Sequence, residues 1–297
     1  MVKLFLILIL FSFSNANEIS YNFNDETEYE NTLEDTIVLH EDQIIQKVKS
    51  FIDQEVYDKN KKFIDIIFSP RENFYKNNQV DIVSIITTLK ENGLLKLVFQ
   101  KPQALSLHFK TSGSPLFFVK LMSDALRNIG YYRYVTDSSN FSNAEFIWSI
   151  SLKSEYATDP LVLQKELQKS GCEIIDIERI SSKEWSYDIE MADGFLNVTH
   201  LYDHQKTILK RSMYAHWLNV SNIEVITIAT SRRNSWYPYI AYYDTSLNLL
   251  KVLKRDRRSK RITVHVPKGA KYIKISDIYT LKNVTEDLIL YPRSKRY

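Results

Sequence analysis

The chain has 297 residues, 44% of them hydrophobic and 25% charged, with a formal net charge of +3; this is the balance of a globular protein with ample core, long enough for two or three domains. Its single cysteine, Cys172, excludes a disulfide framework and a thiolate-rich zinc site. Nineteen Tyr and fifteen Phe against six Gly point to extensive sheet.

The first sixteen residues read as a secretory signal. Lys3 gives a positive start, an apolar run follows over 4–13, and "SNA" places small residues before a cleavage point after Ala16. A buried first helix is the alternative. The run is shorter than the roughly 20 residues that span a bilayer, and no later segment is long and apolar enough to be transmembrane. Export with one cysteine fits the bacterial periplasm. Residues 17–42 are acidic and aperiodic, and read as a flexible leader.

A helix is expected from about Glu41, with Ile44, Ile45, Val48, Phe51 and Ile52 on one stripe, and a strand over 62–69, "KFIDIIFS". Three similar blocks follow. "LKENGLLKL", "LRNIGYYRY" and "LQKSGCEII" each carry a helical pattern into a glycine and then a strand pattern. Gly93, Gly130 and Gly171 suit the left-handed turn that ends a helix. Pro115 and Pro160, after Ser114 and Asp159, suit helix starts. Each block is expected to supply two strands: "LLKLVFQ" with "ALSLHFKT", "YYRYVTD" with "AEFIWSISLK", and "CEIIDIE" with "EWSYDIEM". The glycines recur after 37 and 41 residues, and no such unit buries its own apolar faces, so neighbours must stack or share a sheet.

From about Gly194 helical periodicity fades. Seven short strand windows separated by turn clusters suggest a β-sandwich. The expected fold is therefore α+β: repeated helix–strand–strand units over 43–193, forming one or two small α+β sandwiches, followed by an all-β sandwich over 194–297.

No nucleophile elbow, phosphate loop or clustered carboxylate pair is evident. "HLYDH" sets His200, Asp203 and His204 at a spacing that could hold zinc on a helix, but it lacks the glutamate of a zinc protease and reads as a surface hinge. Cys172 reads as a small apolar residue facing the sheet interior. Neither catalytic residues nor a cofactor are assigned.

Charge is more informative. From Gln205 onward there are nineteen Lys and Arg against six Asp and Glu. The densest stretch, "KVLKRDRRSKR", holds Lys254, Arg255, Arg257, Arg258, Lys260 and Arg261, and the tail "RSKRY" adds more. One reading is a solvated turn; the other is contact with an anionic surface such as lipopolysaccharide, peptidoglycan or an acidic protein. Nucleic acid does not suit an exported protein. "SRRNSWYPYIAYYD" joins Arg232 and Arg233 to Trp236, Tyr237 and Tyr239, a grouping favoured at interfaces and able to stack on sugars.

The stretches "WYPYIAYYDTSLNLLKVL" and "ITVHVPKGAKYIKIS" resemble the β-sandwich modules of the prepeptidase-C-terminal and carbohydrate-binding kind appended to exported bacterial proteins. No calcium loop accompanies them. The repeats over residues 60–193 resemble, in topology, units of periplasmic ring-forming proteins. The whole resembles an accessory protein of the bacterial flagellar disc, which implies a structural role on the outer-membrane side of the motor, a disc-forming lipoprotein or another envelope protein as partner, and an oligomeric assembly. The leading expectation is thus a periplasmic, non-enzymatic interaction protein needed for motility. A glycan-binding module, with Trp236, Tyr237 and Tyr239 as an exposed platform, is the alternative. A hydrolase with two carboxylates in a cleft is the third.

Overall fold

The structure is a computed structural model and describes residues 42–142 and 144–294. The signal, the leader up to residue 41 and the tail from residue 295 lie outside the described residues. Those from Ile44 onward cluster as one compact unit.

Helix α1 (Gln43–Phe51) buries Ile44, Ile45, Val48 and Phe51, the stripe its spacing dictates. Helix α2 (Gln54–Ile67) overturns the strand expected over 62–69. Tyr57, Ile64 and Phe68 are buried at helical spacing, whereas Phe63 and Ile66 point to solvent. Those two exposed apolar residues filled the gaps in the helical stripe and made "FIDIIF" look like continuous strand. Next come two short strands, β1 (Tyr75–Lys76) and β2 (Gln79–Val80), joined by Asn77 and Asn78 at φ 52° and 62°. Two consecutive asparagines suit a tight hairpin turn with positive φ at both centres.

Helix α3 (Ile82–Glu91) is capped by Asp81, whose carboxylate accepts the Ser84 N–H at 3.0 Å. Beyond it, strand β3 (Val98–Thr111) corrects the first block. Its two expected strands are one strand of fourteen residues. Pro102 sits where the pairing register shifts, between Val98 and Gln103. The chain passes the proline as an irregularity rather than a turn.

Helix α4 (Pro115–Asn128) leads to β4 (Val135–Ser142) and β5 (Glu145–Tyr156). Helix α5 (Pro160–Gln168) leads to β6 (Glu173–Ser181) and β7 (Glu184–Glu190). Pro115 and Pro160 occupy the first helical positions. Gly93, Gly130 and Gly171 follow their helices at φ 72°, 106° and 69°, where a Cβ is disfavoured.

The five strands form one sheet, β4-β5-β3-β7-β6. Strand β3 lies at its centre, parallel to β7, and the other pairings are antiparallel. One face carries Leu105, Leu107, Phe109, Trp148, Tyr187 and Ile189, which join the buried helix stripes in a single core. Phe109 packs between Trp148, tilted at 6.0 Å between ring centroids, and Tyr187, stacked at 5.6 Å. The opposite face is polar.

Two sheets follow. Strands β8 (Thr199–His200), β9 (Thr207–Leu209), β10 (His216–Asn219), β11 (Ile223–Thr230), β12 (Pro238–Tyr243), β13 (Leu249–Lys254), β14 (Arg261–His265), β15 (Tyr272–Asp277) and β16 (Leu288–Ser294) assemble as β13-β12-β15-β10-β8 and β14-β11-β16-β9. Each of the seven sequence windows holds one strand; β8 and β9, two and three residues long, are too short to show a period. Inward residues of both sheets, among them Ile226, Ile228, Ile240, Ile273 and Leu290, share one core.

The two parts meet in a packed seam. Tyr272 and Leu247 belong to the core of the first part. The Tyr272 hydroxyl accepts the Leu196 N–H at 3.1 Å, and Ser114 Oγ donates to the Ser246 carbonyl at 3.0 Å.

Candidate functional site

Three loops meet at one end of the second part: 231–237 between β11 and β12, 255–260 between β13 and β14, and 278–287 between β15 and β16. Two buried polar residues tie them together. Asn234, fully buried, donates from Nδ2 to the Glu286 carbonyl at 2.9 Å, while its Oδ1 accepts the Glu286 N–H at 2.7 Å and the Thr285 hydroxyl at 3.1 Å. Asp277 accepts the Tyr237 N–H at 2.8 Å on one oxygen. Its other oxygen takes the N–H groups of Tyr279 and Thr280 at 2.9 and 3.0 Å. A buried polar group satisfied on every side holds its neighbours in one arrangement.

The cations divide by role within this frame. Arg258 is a brace: its Nε donates to the Asn234 carbonyl at 2.9 Å and a terminal nitrogen donates to the Arg232 carbonyl. Arg233 reaches Glu286 at 3.3 Å but is 85% exposed, so that pair is weak. Lys254 lies 5.3 Å from the Tyr239 ring and Arg261 5.9 Å from that of Tyr291. Arg232, Arg257 and Lys260 are exposed and, like Arg255, form no ion pair among the described residues. The structure thus brings all eight sequence-predicted cations to one end, and several of them have no ion-pair partner among the described residues.

Trp236 requires a correction. It is fully buried in the core between the sheets, with Nε1 donating to the Ser276 carbonyl at 2.9 Å, so it presents no surface. Its indole is the plug under the loop end. Tyr237 and Tyr239 are half-buried; Tyr237 packs edge-on against Tyr279 at 5.2 Å. The three therefore do not make one exposed platform.

The "HLYDH" residues lie on β8 and the following turn, not on a helix. Asp203 accepts the Ser294 N–H at 2.7 Å, and His204 sits at φ 54°. Cys172 is buried behind Gly171, and burial pushes its thiol up to about 11, far from a reactive thiolate.

One constellation escaped the sequence reading because it is assembled across three strands. On the polar face of the five-stranded sheet, Ser149 Oγ lies 2.8 Å from His108 Nδ1, and His108 Nε2 lies 3.1 Å from Glu184 Oε1. These are the residue types of a nucleophilic triad, but Ser149 is only 7% exposed. It sits mid-strand, where its backbone neighbours bond within the ladder, so no free N–H pair faces it to hold an oxyanion. The cluster is a polar cross-strand ladder.

No protein-family model and no curated protein matches this chain.

Proposed function

We propose that this chain is a non-catalytic interaction protein whose cationic loop end binds an acidic protein surface. The observation that carries this reading is the concentration of Arg232, Arg257 and Lys260 on loops held by buried Asn234 and Asp277, exposed and without ion-pair partners among the described residues. Unpaired cations on a rigid frame accelerate and orient association with an anionic partner. The helix-covered sheet serves as the mount, and the β-sandwich presents its loops. The export signal read in the first sixteen residues and the resemblance to flagellar disc accessory proteins direct this proposal to the periplasm, with a disc or other envelope protein as the partner.

The test is crosslinking of the full chain in its native envelope, compared with a chain carrying Arg257→Glu and Lys260→Glu. Recovery of one acidic protein, lost in the reversed chain and weakened by salt, supports the proposal. Equal recovery by both chains overturns it. Retention on purified lipopolysaccharide or peptidoglycan alone moves the reading to an envelope-polymer binder.

A further inference from the structure

A second feature lies in the seam between the two parts, away from the cationic loops. A half-enclosed cleft of about 400 Å³ opens between α4, the 196–199 linker and β10. That volume is within the range of small-molecule sites, which favour such junctions.

Two cations, Lys120 and Arg127, and two carboxylates, Asp124 and Glu166, line it. Helix α4 sets Lys120, Asp124 and Arg127 at four- and three-residue steps along one stripe lining the cleft. Asp124 accepts from both Lys120 and Arg127, so one carboxylate serves two cations. A third cation, Lys274 of β15, stands beside the lining residue Trp217, outside the lining itself, and forms no ion pair among the described residues. Its ammonium lies 5.7 Å from the centre of the Trp217 ring, and that of Lys120 lies 5.2 Å from the same ring. Arg127 in turn lies 5.1 Å from the centre of the Tyr214 ring, so one carboxylate and two aromatic rings hold three positive charges. Burial lowers the pKa of Lys120; Asp124 opposes this, while Arg127 and Lys274 add to it. Nearby Glu166 offers no relief, being bonded to Lys169 and to Asn128.

The wall also carries two neutral polar side chains, His216 and Asn197. The His216 ring makes no hydrogen bond among the described residues, and burial lowers its pKa, favouring the form that offers one donor and one acceptor. Asn197 lines the cleft with its amide likewise unbonded.

We propose that the seam cleft binds a small organic anion of monosaccharide size, bearing a carboxylate or a phosphate monoester. Its charged end sits among Lys120, Lys274 and Arg127, and its polar body bonds His216 and Asn197. The anion supplies the charge that Asp124 cannot, and does so in a partly dry site where a charge-assisted bond is strong. This site is independent of the cationic loop end.

The protein carries its own reporter. Trp148, Trp185 and Trp236 are 2%, 1% and 0% exposed, so Trp217 is the only tryptophan that aqueous ions reach readily. Tryptophan fluorescence of the full chain is quenched with iodide or caesium at equal ionic strength, then titrated with glucuronate, glucose 6-phosphate, inorganic phosphate and glucose. Iodide is expected to quench several-fold better than caesium, and an anionic probe to protect Trp217 where glucose does not. Protection by glucuronate alone assigns carboxylates; protection by glucose 6-phosphate and inorganic phosphate assigns phosphates. Lys274→Gln, with unchanged circular dichroism, is expected to weaken that protection about tenfold. Trp217→Phe removes the signal. Equal quenching by iodide and caesium, protection by glucose, or undiminished protection in Lys274→Gln overturns the proposal.

Discussion

The two parts of the molecule hide the apolar face of a sheet in different ways. In the first, helices cover one face of a five-stranded sheet and leave the other polar. In the second, two sheets cover each other. Charge differs between them. Residues 43–204 hold nineteen Lys and Arg against twenty-one Asp and Glu, and those from Gln205 onward hold nineteen against six. Helix-covered sheet leaves short, glycine-ended connections, whereas sheet-on-sheet packing projects its loops together at one end. That end is where cations gather, so the proposed contact surface belongs to the second part.

The largest expected effect tests whether the two parts are one cooperative body. Trp236→Ala removes a fully buried indole and is expected to cost about 3–5 kcal/mol. Because Tyr272 and Leu247 lie in the first part's core, urea unfolding followed by circular dichroism and by exposure of the Cys172 thiol is expected to show one shared, lowered midpoint. Two separated midpoints would break the seam argument.

Next in size is a comparison within the first part. A Cβ at Gly171 would lie 2.5 Å from the Asp193 carbonyl oxygen, besides its φ of 69°. At Gly93 and Gly130 the space is open. Gly171→Ala is expected to cost about 2–4 kcal/mol, and the other two alanines about 1–2 kcal/mol each. Equal costs, measured by urea midpoint, would make the three glycines interchangeable after all.

Third, the cationic end is expected to separate brace from contact. Arg258→Gln loses bonds to two backbone carbonyls and is expected to destabilise by about 1–3 kcal/mol. Arg257→Gln is expected to stay within about 0.5 kcal/mol in stability while weakening capture of the acidic partner. A stability loss from both would mean that the cations serve the fold.

The smallest effect lies on the polar face of the first part. Burial, aided by the Glu145 carboxylate, raises the pKa of Asp188 above its usual value, against the pull of Lys110. A raised carboxyl binds its proton more tightly when folded, so stability falls as pH rises from the unfolded to the folded pKa and stays lower above it. Asp188→Asn is therefore expected to raise the melting temperature slightly at pH 7, with the gain vanishing below both values. A gain that persists at low pH would assign it to packing.

What the sequence determined by itself follows from short-range periodicity. The stripes of α1, α3 and α4, the glycine ends, the proline starts and the seven strand windows each depend on residues within a few positions of one another. Tertiary structure decided whatever needs a distant partner. Phe63 and Ile66 look like core until Tyr57, Ile64 and Phe68 are seen to take the buried side of α2. Residues 98–111 become one strand because β5 and β7 flank them. Trp236 reads as surface until the second sheet closes over it. Asn234 and Asp277 gain their roles from loops about fifty and forty residues away in the chain, and the seam cleft takes its cations from α4 and β15. Local pattern records which face of an element is apolar; only the packed molecule brings together the polar and charged groups that those elements carry.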